Sequence, residues 1–355
     1  MVTTNIPEEI LQAYNFDKLQ VKIAPLGVGH INQTFKVTQG SACYVLQRIN
    51  KLVFIKPEYI AENIRLVANH LDKNFPDYFF LKPVLSATGN DIEFDRDNHP
   101  WRLFPFVESG VTKETLTSEL EAFEAARGFA ALTRRLSTCS LENIKPTIDR
   151  FHDLTWRVEQ FRESISMAEQ SRLETAAEAI ADANRFSFLA DEYKTLINSG
   201  DLQLRITHND TKINNILFDT ETAKARCVID LDTLMPGYFI YDLGDLIRTC
   251  VSPVSEEETD PSKIIFRKNF YDAVVNGYLT EMGEALTKKE LHAVSFSGLM
   301  MTYIMALRFL TDYLKGDVYY SVRYDGQNLS RATNQFKLLQ LLYDEVYHGS
   351  SNKKG

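Results

Sequence analysis

Apolar positions along the chain change their period several times. In "QVKIAPLGVGHINQTFKVTQGSACYVLQRIN" (20–50) apolar and polar residues alternate in short runs broken by Gly and Asn, which predicts two or three antiparallel strands joined by turns. Over 57–75 the spacing lengthens. Ile60, Ile64, Val67 and Leu71 recur at helical intervals, and Pro57 suits a first helical turn. Residues 7–15 read as a short helix with Pro7 near its start. The stretch 77–107 returns to strands, with turns at "ATGND" and "RDNHP". Residues 1–107 therefore read as a mixed sheet plus one helix.

From Thr112 onward the period is helical. "TKETLTSELEAFEAARGFAALTRRLST" (112–138) predicts one long amphipathic helix, and 155–198 predicts two more. Three short β-branched runs, "RITHND", "NILFD" and "RCVIDLD", then interrupt. After Tyr241 the pattern is helical nearly to Leu342. No internal repeat is visible, and the tail "GSSNKKG" is the one low-complexity segment. The expected architecture is α+β and bilobal: a small β-rich N-terminal lobe over 1–107 and a larger, mainly helical C-terminal lobe over 108–355.

Composition narrows the function classes. A chain of 355 residues with 44% hydrophobic and 25% charged residues can build a sizeable core, and at this length two lobes are the default. The net charge of −9 repels nucleic acid and anionic lipid at long range, so neither is expected as a partner. An anionic ligand would need local positive charge, backbone N–H groups or a metal. Cys43, Cys139, Cys227 and Cys250 form no paired motif and read as free thiols in a reducing compartment. The N-terminus reads as no secretory signal, and no run of about 18 apolar residues predicts a membrane span. A cytoplasmic protein is the expectation.

The chemistry concentrates in "THNDTKINNILFDTETAKARCVIDLDT". His208, Asp210 and Asn215 form H-x-D-x(4)-N, and Asp230 follows at the end of an apolar strand. Phosphoryl transfer needs a carboxylate that orients and deprotonates an acceptor hydroxyl, and hard oxygen ligands that hold Mg²⁺ on the nucleotide phosphates. One loop can supply both, with Asp210 toward the acceptor and Asn215 toward the metal, and Asp230 completing the metal site. The competing reading is a polar turn of Asx caps, which the second Asp between apolar strands disfavours. His208 reads as a brace, and Asp232 ranks below Asp230 as a ligand. Upstream, "LGVGHINQTF" places Gly27 and Gly29 in a turn able to cover phosphates with backbone N–H groups. Pro105, Phe106 and Val107 in "WRLFPFV" would form a hinge whose backbone bonds adenine.

The pattern resembles the aminoglycoside phosphotransferase and choline kinase-like family, with its protein-kinase-like fold, over essentially the whole chain. The blocks "GHIN", "THNDTKINNIL", "IDLDTLMPG", "YDLGDLIR" and "ALRFLTDYLKGDVYY" are most similar to its sugar-1-kinase branch. The resemblance implies transfer of phosphate from ATP, with Mg²⁺, to the anomeric hydroxyl of N-acetylglucosamine or N-acetylgalactosamine. It implies Asp210 as catalytic base, Asn215 and Asp230 as metal ligands, and His30, Arg308 and Tyr319 around the sugar. Three alternatives stay open: Arg308 paired to Asp312 at i+4, Tyr319 in the core, and His30 capping a turn. The position that carries a phosphate-binding lysine in many kinases is Gln47 here, with Glu62 or the weaker Glu58 as candidate partner glutamate. Asp242 reads as a brace of the catalytic loop, and Asp245 and Arg248 as a pair or pocket wall. Other acceptors (choline, an aminoglycoside, homoserine, another sugar) remain, as does a kinase-like protein that holds nucleotide without turnover. The acidic run "SEEETD" (255–260) reads as a solvated loop.

Overall fold

A computed structural model describes residues 6–27 and 31–348 of the chain. Gly29 and His30 of the sequence reading lie outside the described residues. A helix, Glu8–Ala13 (α1), precedes strands Lys22–Pro25 (β1), Gln33–Gln39 (β2) and Ala42–Arg48 (β3). Helix Pro57–Asn74 (α2) follows, then strands Glu93–Phe94 (β4) and Pro100–Pro105 (β5). The strands form one sheet in the order β1-β2-β3-β5-β4. Every pairing is antiparallel, so the expected mixed sheet is not found. Gly40, at φ +62°, makes the tight turn that sets Gln39 opposite Ala42. The expected strand before the "ATGND" turn reduces to a single bridge between Val84 and Leu103.

Alternation decides which face of the sheet is buried. Phe35, Val37, Leu46 and Leu103 point to one side, where Ile10 and Leu11 of α1 cover them. Helix α2 faces elsewhere. Its stripe of Ile60, Ile64, Val67 and Leu71 is buried in the main core of the helical half. Asn63 fixes that docking by donating to the carbonyls of Lys145 (2.7 Å) and Leu234 (2.9 Å). Glu62 pairs with Lys145 of the helical half, not with a cation on β3.

The larger part begins with strand Gly110–Val111 (β6) and helix Glu119–Leu136 (α3). The expected helix start at 112 moves to Glu119 because the Ser118 hydroxyl caps it, accepting from the Glu121 N–H at 3.3 Å. The region 155–198 holds four helices where two were expected: Leu154–Met167 (α4), Gln170–Thr175 (α5), Ala177–Arg185 (α6) and Phe188–Asn198 (α7). Ala168, Ala176 and Phe186 leave helical geometry, and each break re-aims the next piece so that Ala179, Ala183, Phe186 and Leu189 reach the core. Strands Arg205–Thr207 (β7), Ile216–Asp219 (β8), Ala225–Val228 (β9) and Met235–Gly237 (β10) form two small sheets, β6-β8-β9 and β10-β7. Helices Phe239–Cys250 (α8), Lys268–Met282 (α9), Lys288–His292 (α10), Val294–Leu314 (α11) and Gln327–Leu342 (α12) complete the fold. Loops 251–267 and 315–326 interrupt the expected continuous helical pattern.

Helix α11 is long and apolar enough, by length and composition, to cross a membrane. Here most of it is buried at the centre of the core, packed against α4, α8 and α12. Close approach there depends on missing side chains. A Cβ at Gly244 of α8 would lie 2.3 Å from the Ser297 carbonyl of α11, and one at Gly277 of α9 would lie 2.2 Å from the Phe123 carbonyl of α3. Gly277→Ala should lower stability by about 1–3 kcal/mol, because overpacking against backbone outweighs the gain in helix propensity. A urea-unfolding midpoint equal to or above wild type would contradict this contact.

Candidate functional site

The site is built on the loop after β7. Asn209 sits at φ +64°, a left-handed backbone that Asn tolerates better than most residues. Its side chain donates to the carbonyls of Thr207, Thr233 and Met235. Asp242, 0% exposed on α8, accepts the backbone N–H of His208 (3.1 Å) and of Asn209 (2.7 Å). Burial pushes the Asp242 carboxyl up, and these bonds only partly offset that. His208 bonds the Ile229 carbonyl through Nε2 (2.9 Å) and braces the loop, as its sequence context suggested. Gly237 of β10 leaves room for this packing, since a Cβ there would lie 2.2 Å from Thr207 Oγ1. The outcome is that Asp210 faces the cleft. Its carboxylate accepts from Asn215 Nδ2 at 2.9 Å.

Opposite Asp210, Asp230 occupies a left-handed turn at φ +57° after β9. It opens onto the cleft but is ringed by protein. Protein packed around this cleft-exposed side chain, then the Asp232 and Asp210 carboxylates, raise its carboxyl above the ordinary range, against the opposing pull of Arg102 and Lys212. Asp232 is buried and differently engaged: it pairs with Arg102 and accepts from Asn32 Nδ2 at 2.7 Å. Among the described residues no three His, Cys, Asp or Glu side chains converge as a ready metal cage. Asp230 and Asn215 still fit a hard cation by donor chemistry. Mg²⁺ takes few protein ligands and completes its shell with water and phosphate oxygens, and crowded carboxylates on the cleft want a cation.

Gln47 faces the cleft from β3, opposite Arg102 in the register of the sheet. Its Oε1 accepts from Arg102 Nε (3.0 Å) and Nη2 (2.8 Å). The charge absent from Gln47 is thus present one residue behind it, on a guanidinium 2% exposed. Lys212, two residues after Asp210, also faces the cavity and bonds Glu256 at 3.1 Å. Burial alone would lower its pKa, but the Glu256 and Asp210 carboxylates outweigh it and raise it. The "SEEETD" run is not a solvated loop at its centre. Glu256 pairs with Lys212 and Arg248, and Glu257 pairs with Arg331. The two cations beside Glu256 hold its carboxyl well below the ordinary range although burial opposes them. Asp245 and Arg248 pair at 2.8 Å and both line the cavity.

The cavity measures about 290 Å³, near the lower end of small-molecule pockets. Arg308 and Tyr319 lie in its wall with Phe151, His152 and Tyr320. Arg308 does not pair with Asp312. The Asp312 carboxylate instead accepts the backbone N–H groups of Val318, Tyr319 and Tyr320 and shapes the loop that carries both tyrosines. Arg308 lies over the rings of Phe151 (5.0 Å), Tyr320 (5.5 Å) and Tyr319 (5.7 Å). Tyr319 is 48% exposed, so it is wall and not core.

The structure thus brings Asp210, Asn215, Asp230, Gln47, Arg308 and Tyr319 around one cavity. Gly27, Pro105, Phe106 and Val107 lie outside its wall. Gly27 has the left-handed φ of +70° that suits a turn. Pro105 has no N–H and the Phe106 N–H bonds the Cys43 carbonyl at 3.1 Å, so Val107 is the donor left in the hinge segment. Sequence reasoning missed Arg102, Lys212, Glu256 and His152. Lys212 had a signal, its position beside Asp210 in "NDTK". Arg102 and Glu256 depend on pairings between distant segments.

The same fold occurs in solved small-molecule kinases. An aminoglycoside phosphotransferase from Alicyclobacillus acidocaldarius superposes with a TM-score of 0.63 at 15% identity, over 98% of this chain and 98% of that one. A microcompartment-associated aminopropanol kinase gives 0.62 at 16% identity, over 96% of each chain. An amicoumacin kinase in complex with AMP-PNP and Ca²⁺ gives 0.60 at 15% identity, over 94% of this chain and 92% of that one. The match to the phosphotransferase enzyme family runs through residues 22–285, from the first strand of the sheet past the Asp210 loop and α9, and the chain belongs to that family.

Proposed function

We propose that this phosphotransferase moves the terminal phosphate of ATP, with Mg²⁺, to the anomeric C1 hydroxyl of an N-acetylhexosamine, giving the sugar 1-phosphate. One observation carries the choice of acceptor. Arg308 stands in the cavity wall with no carboxylate partner among the described residues, ringed by Phe151, Tyr319 and Tyr320. Among the acidic groups that line the cavity, Glu256 and Asp245 are taken by Arg248, Glu257 by Arg331 and Asp232 by Arg102, which leaves Asp210 and Asp230, the two carboxylates assigned here to the reacting hydroxyl and the metal. A wall with a free guanidinium repels choline, an aminoglycoside or an aminoalcohol, all of which carry positive charge. It suits a neutral ring whose acetamide and hydroxyl oxygens accept hydrogen bonds and whose face packs on aromatic side chains. The sequence blocks "THNDTKINNIL", "IDLDTLMPG" and "ALRFLTDYLKGDVYY" support the same acceptor through their resemblance to N-acetylhexosamine 1-kinase.

The residues divide the work as follows. Asp210, held by its loop and by Asn215, orients the C1 hydroxyl and takes its proton as the oxygen attacks. Asp230 and Asn215 would hold the metal, which when bound neutralises charge on the phosphate oxygens. The AMP-PNP and Ca²⁺ in the amicoumacin kinase of the same fold support a nucleotide and a divalent cation here. Lys212 lies beside Asp210 and is the cation best placed to meet the transferred phosphate, with Arg102 behind Gln47 adding fixed charge at the sheet. Val107 and the hinge carbonyls would bond adenine. A nucleotide-holding protein without turnover is disfavoured by the Asp210–Asn215 contact, which readies a carboxylate at the cleft.

Three outcomes are expected. Incubation with N-acetylglucosamine, ATP and Mg²⁺ should release ADP and form an acid-labile phosphate ester; an acid-stable product would move the phosphate off C1. Asp210→Asn should lower kcat by about 10²–10⁴-fold, while thermal stabilisation by ATP and Mg²⁺ persists; wild-type turnover would remove Asp210 as the base. Arg308→Ala should raise the sugar KM by about tenfold or more, with the ATP KM little changed. The reverse split would put Arg308 on the nucleotide side.

A further inference from the structure

Near the acceptor wall three side-chain atoms are buried with no hydrogen-bond partner: Arg157 Nε, and His152 Nδ1 and the Tyr320 hydroxyl on two residues that line the cavity. They are neighbours, since the charges of Arg157 and Arg308 act on both His152 and Tyr320. Buried polar atoms without partners are uncommon in folded proteins, so two on the cavity wall with a third beside them call for a partner that the chain does not supply.

His152 is the most informative of the three because its chemistry is fixed. It is 5% exposed and lines the cavity. Nε2 lies 2.6 Å from the Asn209 carbonyl. A carbonyl only accepts, so the ring hydrogen sits on Nε2 and Nδ1 is a bare lone pair. Burial, with Arg308 and Arg157 nearby, depresses the imidazole to about 3 and keeps it neutral. Phe151 (4.2 Å) and Tyr241 (5.2 Å) pack on the ring and hold its orientation. The wall therefore holds one fixed acceptor without a partner, His152 Nδ1, just beneath its surface, near the Arg308 guanidinium, whose one side-chain contact among the described hydrogen bonds is Nη1 to Met305 Sδ at 3.5 Å.

We infer that His152 Nδ1 is a recognition atom for the phosphate acceptor, taking a hydrogen bond from an N–H or O–H of the bound molecule while Arg308 donates to a neighbouring oxygen. This rests on the kinase reading above and narrows its acceptor class. The molecule must carry a hydrogen-bond donor next to an acceptor, as a secondary amide or a vicinal diol does. A quaternary ammonium, a phosphate dianion or a carboxylate offers no such donor. The same ring holds Asn209, the residue before Asp210, so acceptor recognition and the catalytic loop share one side chain.

The test is steady-state kinetics of wild type, His152→Gln and His152→Phe with ATP, Mg²⁺ and whichever of N-acetylglucosamine, glucose, choline and kanamycin is used best. Gln can still donate to the Asn209 carbonyl but has no lone pair in the place of Nδ1; Phe keeps the ring and loses both nitrogens. The acceptor KM should rise by about tenfold in both variants with the ATP KM within about twofold of wild type, and kcat should fall further in the Phe variant. An unchanged acceptor KM in His152→Gln, or an equal rise in the ATP KM, would overturn the inference. Turnover of glucose alone would remove the N-acetylated sugar but leave the same KM split to decide His152. Turnover of choline alone would overturn the inference, because choline's lone hydroxyl is the one that must face Asp210. With no turnover of any acceptor the kinase reading fails, and calorimetric titration of N-acetylglucosamine into wild type and His152→Gln decides: weaker binding by the variant supports the recognition atom, and equal or absent binding overturns it.

Discussion

The arrangement depends on a buried carboxylate that serves backbone, not substrate. A loop threaded between two sheets must satisfy its N–H groups away from water, because an unpaired buried donor costs about 1–3 kcal/mol. Asp242 does this for His208 and Asn209 with its two oxygens. That fixes the left-handed turn at Asn209, whose carbonyl then meets His152 and whose side chain ties β7 to β10. Asp210 faces the cleft because the residue before it is held in that turn by these bonds. Asp242 lies on α8, packed against α11 at Gly244, so the Asp210 loop is referenced to the centre of the core.

The second theme is the sorting of charge. An acidic protein must gather positive charge locally to handle phosphates. The cleft does so with Lys212, Arg248, Arg331 and Arg102, and it pins each with a carboxylate: Glu256, Asp245, Glu257 and Asp232. The pins keep the cations from repelling one another and keep the side chains in place. Arg308 is treated differently, with rings on its sides and no carboxylate.

Much of this was legible in the sequence where the signal is local. The alternation in 20–50 became β1, β2 and β3, the stripe of Ile60, Ile64, Val67 and Leu71 became the buried face of α2, and the bilobal α+β plan stands. Asp210, Asn215 and Asp230, singled out in the sequence as polar groups between apolar strands, meet around one cavity. What failed was not local. Propensity carried the helix back to 112, but the Ser118 cap starts it at Glu119. The acidic run at 255–260 looks solvated until its distant cations, Lys212, Arg248 and Arg331, are known. Arg102 gives no hint of a site by itself, since its role follows from the register that sets it opposite Gln47. His152 is one histidine among seven until the fold sets it under Asn209.

The central claim is that the cleft transfers phosphate to a neutral, N-acetylated sugar. The most direct measurement is ADP release with ATP and Mg²⁺ over a panel of N-acetylglucosamine, N-acetylgalactosamine, glucose, galactose, choline, homoserine and kanamycin. The account predicts turnover concentrated on the two N-acetylated sugars. Preferential turnover of choline or kanamycin would contradict it, because those acceptors would have to place positive charge against the unpaired guanidinium of Arg308.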